Sequence, residues 1–139
     1  MLAQPADIAR LVGKKILVVE DEESIRNYLK HVLSSYRMEV ETAADADLGL
    51  ACLREKDFDI VLTDFRLPKV DGVQFFENVR TIKPAQAKCF VFMTGDTEKK
   101  LNDFFEKQQV AYLMKPFLPD ELVLLLQKVL DPPTAKKPK

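Results

Sequence analysis

The sequence predicts an α/β protein, a three-layer, doubly wound parallel sheet of five strands covered by helices on both faces. Short β-branched runs alternate with longer stretches of helical period. The runs are nearly continuous in apolar residues, as strands buried on both faces are. The polar residues with chemical reach fall just after these runs, at the edge where open α/β sheets hold ligands.

The elements follow in order. "KILVV" (15–19) is the first strand. Ile25, Tyr28, Leu29, Val32, Leu33 and Tyr36 then recur at the spacing of a helix with one buried face. "MEVET" (38–42), "DIVLT" (59–63), "CFVFM" (89–93) and "AYLM" (111–114) are the other strands. Helical patterns at 45–55, 72–81 and 97–108 lie between them, and a fifth helix begins near Pro119, a residue favoured in the first turn. In that helix Leu122, Leu125, Leu126 and Val129 form an inward stripe, with Val123 and Leu124 to its side. The stripe reads as a wide buried face, with a partner-binding patch as the alternative. Phe104 and Phe105 are adjacent, so one of them is expected to be exposed.

A chain of 139 residues with 47% hydrophobic composition is the length of one ordinary domain and can bury a single core. Residues 1–13 read as an N-terminal extension with a partial helical turn, and 131–139, "DPPTAKKPK", as a Pro and Lys tail with nothing to bury. The 21 Lys and Arg nearly cancel the 22 Asp and Glu, leaving no global field to hold nucleic acid or an anionic membrane. Cys52 and Cys89 have no metal-ligand spacing and only His31 to help them, which fits a reduced, cytoplasmic compartment. Both cysteines read as small core hydrophobes, and His31 as a surface residue of the first helix. The longest apolar stretch, "LVLLL" at 122–126, is too short to span a bilayer, and no signal pattern opens the chain.

The strand ends carry the chemistry. The first gives Glu20 and Asp21, the third Asp64, the fourth Thr94 and the fifth Lys115. Carboxylates converging on one edge repel, and a hard divalent cation resolves the repulsion. Oxygen ligands without His or Cys favour Mg²⁺, which typically uses one or two carboxylates together with a phosphate. Lys115 can balance a phosphoryl oxygen and Thr94 can donate a hydrogen bond to another. Asp64 is left as the nucleophile.

The ordered fragments "ILVVEDE", "DIVLTDFRLPKVDG", "VFMTGDT" and "YLMKPF" resemble the receiver domain of two-component response regulators, from about Lys14 to Leu130. The resemblance implies a flavodoxin-like fold with strand order 2-1-3-4-5 and a receiver domain over 14–130. It implies that Asp64 accepts a phosphoryl group from a histidine kinase or a histidine phosphotransfer protein. Asp21, Asp64 and the backbone carbonyl of Arg66 would bind Mg²⁺, with Glu20 acting mainly through a coordinated water. Thr94 and Lys115 would hold the phosphoryl oxygens, and Thr94 with Tyr112 would form the switch, the ring swinging inward on activation. Lys115 to Pro116 would be a cis peptide, and Pro68 and Gly72 would shape the loop after the phosphorylated strand. The surface of the fourth helix, fifth strand and fifth helix would carry the output; if the last helix does present a partner-binding patch, a homodimer formed through that surface after phosphorylation is the expectation. Such a domain is a phosphorylated signalling module that assists its own phosphoryl transfer and slow autodephosphorylation.

Individual positions depart from the family pattern. Arg66 and Asp96 border the expected pocket and make a candidate gate against hydrolysis, with two solvated side chains as the plainer alternative. Gln108 occupies a site the family often fills with glycine. A haloacid-dehalogenase-type phosphatase would want a second aspartate where Arg66 stands, and a nucleotide-binding fold would want a Gly-rich loop where "EDEES" stands. The remaining alternative is a receiver-like adaptor that signals by protein binding without phosphorylation.

Overall fold

The computed structural model describes residues 9–95 and 99–130, with only the backbone considered at 99–101. Five parallel strands lie in the order β2-β1-β3-β4-β5. They are β1 Lys15–Val19, β2 Glu39–Ala43, β3 Ile60–Asp64, β4 Phe90–Thr94 and β5 Ala111–Met114. The helices are α1 Glu23–Ser35, α2 Ala46–Glu55, α3 Gly72–Ile82, α4 Lys99–Gln108 and α5 Pro119–Leu130, with one further helical turn at Pro84–Ala87. The fold class and strand order are those the sequence implied.

Alternation along each strand divides the core in two. Leu17, Val19, Val61, Phe90 and Phe92 face one way, toward Leu53 of α2, Phe75, Phe76 and Val79 of α3, and Phe105 of α4. Ile16, Val18, Ile60, Leu62, Val91 and Met93 face the other, toward Leu29 and Leu33 of α1 and Leu122, Val123 and Leu126 of α5. The first layer is aromatic. Phe65, Phe76, Phe92, Phe104 and Phe105 meet mostly edge to face at centroid separations of 5.5 to 6.2 Å, the spacing ring quadrupoles favour.

Several expectations need correction. Strands β2, β3 and β4 each sit one residue later than expected, so Asp64 and Thr94 are the last residues of their strands rather than the first beyond them. The turn at Pro84–Ala87 was not foreseen; Pro84 opens it at a position needing no N–H donor. Tyr28 is exposed, because two other helix-period residues, Leu29 and Leu33, already fill the space under α1. In α5 Val123 is fully buried while Leu125 and Val129 are half-buried, so the inward face is rotated toward Val123. Neither Phe104 nor Phe105 is exposed, since Phe65, Phe76 and Phe92 surround both rings. The left-handed residue after α4 is Gln109, at φ 56°, one position beyond Gln108. Leu11 is fully buried beside α1 and α5, so packing reaches back into the expected extension. The tail at 131–139 lies outside the described residues. Among the described residues no helix is long and apolar enough to cross a membrane.

Candidate functional site

The strand order reverses between β1 and β3, which leaves a crevice at their carboxyl ends. Glu20 follows β1 directly, its N–H donating to Ala43 O of β2 at 3.1 Å. Asp64 closes β3 and Thr94 closes β4 beside it. Lys115 follows β5, and its N–H donates to Thr94 O at 2.8 Å, so the lysine is tied to the same edge. The Lys115–Pro116 peptide is cis.

Three carboxylates converge. Glu20, Asp21 and Asp64 each bring an oxygen within 4.8 Å of the others. Glu20 and Asp64 are buried, and Asp21 faces solvent. The Asp64 carboxylate is held at both oxygens: the Arg66 N–H donates to Oδ1 at 3.0 Å and Lys115 Nζ donates to Oδ2 at 2.7 Å. Lys115 Nζ also stands 3.6 Å from Glu20 Oε1. The other oxygen of Glu20, Oε2, accepts the Glu22 N–H at 3.0 Å.

Burial pushes the Glu20 carboxyl up to about 7; the bond from Glu22 opposes the rise, the Asp64 charge adds to it and the Lys115 charge opposes it. For Lys115, burial acts to lower the pKa, but the bond and charge of Asp64 and the charge of Glu20 outweigh it, and the ammonium is held above its ordinary value.

The donor set fits a hard divalent cation. All three groups offer carboxylate oxygen, and Glu20 Oε1 is buried with no hydrogen-bond donor among the described residues. An unsatisfied buried oxygen beside two further carboxylates, with one ammonium at hand, leaves more negative charge than the protein neutralises.

The remaining expected residues are placed as follows. Thr94 is buried. Tyr112 is 40% exposed, with its ring stacked on Phe105 at 4.5 Å and 14°. Arg66 is exposed, its guanidinium 6.0 Å from the Phe65 ring centroid; its expected partner Asp96 lies outside the described residues. Gly72 sits against the chain that leaves Asp64: its N–H donates to Phe65 O at 2.9 Å, and a Cβ there would fall 2.6 Å from that oxygen.

Sequence reasoning missed Arg26. From the first turns of α1 its Nη1 donates to Glu20 O at 2.8 Å and reaches Asp21 O at 3.4 Å. The signal available was a cation one turn into a helix that follows an acidic loop, since helical side chains lean toward the N-terminus.

Comparison with known proteins identifies the family. The model of the response regulator receiver domain matches residues 16–127. The transcriptional regulatory protein ResD of Bacillus subtilis is 32% identical over 117 residues, 84% of this chain and 48% of that protein. The transcriptional regulatory protein SrrA of Staphylococcus aureus is 29% identical over 119 residues, 86% of this chain and 48% of that protein. The chain thus spans about half the length of these curated relatives. Among solved structures, chemotaxis protein CheY4 of Vibrio cholerae aligns with a TM-score of 0.77 at 33% identity, covering 86% of this chain and 100% of that one. A CheY-like receiver domain protein from Methanospirillum hungatei gives 0.78 at 31% identity, covering 86% and 94%. A family match across most of the chain, together with the same fold at 33% identity, places this protein in the response regulator receiver domain family.

Proposed function

We propose that this protein is a phosphoacceptor in a two-component phosphorelay, taking a phosphoryl group on Asp64 from a histidine kinase or a histidine phosphotransfer protein. The observation that carries the reading is the 2.7 Å bond from Lys115 to Asp64 inside the three-carboxylate cluster. The N–P bond of the donor phosphohistidine breaks as an oxygen of the Asp64 carboxylate bonds to phosphorus, and the imidazole keeps the electron pair. Transfer of this kind asks the protein mainly for positioning and charge neutralisation.

Each residue has a part. The Arg66 N–H fixes one carboxylate oxygen of Asp64 and so sets the direction of attack. Lys115 exchanges Asp64 for an oxygen of the arriving phosphoryl group, and the Thr94 hydroxyl donates to another. Glu20, Asp21, Asp64 and the Arg66 carbonyl would hold Mg²⁺. Bound there, Mg²⁺ would neutralise the charge developing on the transferring oxygens.

The output is a changed surface. Drawing Thr94 toward the phosphoryl group opens space into which the Tyr112 ring turns, leaving its stack on Phe105 and altering the α4–β5–α5 face. A second copy of the chain is one candidate partner for that face; equal apparent masses in light scattering with and without a phosphoryl mimic would remove the homodimer from the reading. A cytoplasmic location and a receiver domain over 14–130, with Leu11 of the preceding segment packed on it, accompany the reading, with neither nucleic acid nor membrane contacted by this unit. It is a signalling module rather than an enzyme acting on a separate substrate.

The test is intact mass after incubation with a small-molecule phosphodonor and Mg²⁺. A single phosphoryl adduct, absent with chelator and absent in Asp64→Ala, is the expected result. No adduct on folded protein would overturn the reading in favour of an adaptor that signals by binding alone.

A further inference from the structure

The loop that carries Glu20 and Asp21 is fixed in an unusual way for this chain. Asp45 caps α2 by accepting the Leu48 N–H at 2.9 Å, and Asp71 caps α3 by accepting the Gln74 N–H at 3.0 Å. Glu22, at the equivalent position before α1, makes no side-chain capping bond among the described residues. Two other contacts tie the acidic loop to α1: the Glu22 N–H on Glu20 Oε2, and the Arg26 guanidinium on the carbonyls of Glu20 and Asp21. The first occupies a carboxylate oxygen of the site. The second leaves every carboxylate oxygen free.

We propose that Arg26 is a positioning residue for the acidic site, one that builds the cation-binding geometry by holding the Glu20 and Asp21 backbone from behind. The inference rests on the metal reading given above. Both contacts come from one nitrogen, Nη1, and a guanidinium is suited to the task because its N–H groups are fixed in one rigid plane, whereas a lysine ammonium turns on a flexible stem. Because it bonds to main-chain oxygens, it does not compete with a cation for the carboxylates, as Lys115 does through its contacts with Asp64 and Glu20. Pulling both carbonyls toward α1 also fixes where the Glu20 and Asp21 side chains leave the backbone. Glu20 Oε1 then stays in the buried site instead of turning to solvent.

Charge and geometry make opposite predictions, which makes the inference testable. The Arg26 positive charge repels an incoming cation, so its electrostatic effect alone would make Arg26→Met bind Mg²⁺ more tightly. Loss of positioning makes the same variant bind more weakly, by about tenfold if this support behaves like other groups that orient metal ligands. Mg²⁺ demands near-ideal octahedral geometry whereas Ca²⁺ tolerates irregular sites, so Ca²⁺ affinity falls by a smaller factor. General loosening of the fold would weaken both alike.

The experiment is calorimetric titration of the full chain with Mg²⁺ and separately with Ca²⁺, for the unchanged protein, Arg26→Met, Arg26→Lys and Asp64→Asn. The expected result is a selective loss of Mg²⁺ affinity in Arg26→Met, with Arg26→Lys between it and the unchanged protein. Should Arg26→Met fail to fold by circular dichroism, Arg26→Lys carries the comparison. Unchanged or tighter Mg²⁺ binding in the folded variants, or equal loss for both cations, would overturn the inference and leave the metal reading intact. If the unchanged protein gave no Mg²⁺ signal that Asp64→Asn removes, the metal reading would fail and this inference with it.

Discussion

Lys115 and Asp64, 51 residues apart in sequence, are joined by a 2.7 Å bond between Nζ and Oδ2. Lys115 bonds directly to the proposed nucleophile and also stands 3.6 Å from Glu20. In Lys115→Ala nothing replaces it to receive the phosphoryl oxygen. Formation of the phosphoryl adduct should slow by about a hundredfold, the usual cost of removing one aimed electrostatic contact. Timed mass spectrometry with a small-molecule phosphodonor measures the rate; a loss below threefold would show that Lys115 is not used in transfer.

Stability of the metal-free protein should depend on pH through Glu20. Its carboxyl rises from 4.5 to about 7 on folding. A raised pKa contributes stability that is complete below the unfolded value and lost as pH rises through the folded one. In chelator, urea unfolding should therefore give a lower free energy at about pH 8 than at about pH 5, by up to about 3 kcal/mol from this group. Glu20→Gln should flatten that slope and raise the stability at about pH 8. A slope unchanged by the substitution would assign the effect elsewhere.

Gly72→Ala tests the seam behind the site. The added Cβ would meet Phe65 backbone atoms at 2.6 to 3.0 Å, and backbone cannot rotate away as a side-chain tip can. The expected cost is about 2 kcal/mol in chemical unfolding. Because the strain falls on the residue after Asp64, adduct formation should slow as well.

Gln86 offers a prediction remote from the site. Its buried amide accepts the Phe58 N–H at 2.7 Å and donates to Phe58 O at 2.8 Å, completing two backbone groups in one step. Gln86→Leu keeps the volume and orphans both, at an expected cost of about 2 kcal/mol or more. Phosphorylation of the folded fraction should be unchanged.

The sequence and the structure agree where side-chain pattern alone determines the outcome. Short β-branched apolar runs located all five strands and period-3.6 apolar spacing the five longer helices, since burial on both sheet faces or on one helix stripe is what such patterns encode. Glu20, Asp21, Asp64 and Lys115 were identifiable because each ends an apolar run. What escaped notice depends on main-chain partners. Arg26 and Gln86 act by bonding to carbonyls and an N–H, and a backbone acceptor leaves no mark on the sequence. The left-handed turn at Gln109 was equally silent, because glutamine does not advertise a positive φ as glycine does. Val123 escaped because nearby stripes on a helix differ only in what they meet, and α5 joins the apolar layer of Ile60, Leu62 and Met93 through the face that carries it.

The two sides of the sheet are built from different materials. Eight of the nine phenylalanines, all but Phe117, belong to the layer beneath α2, α3 and α4, while the layer beneath α1 and α5 is almost wholly aliphatic. Ring currents should therefore displace the methyl resonances of Val19, Val61 and Val79 and leave those of Val18, Ile60 and Leu62 near their ordinary shifts. A single methyl spectrum of this protein would then separate events on its two faces without any label placed by design: a partner settling on α1 and a ring turning near Phe105 would move different peaks.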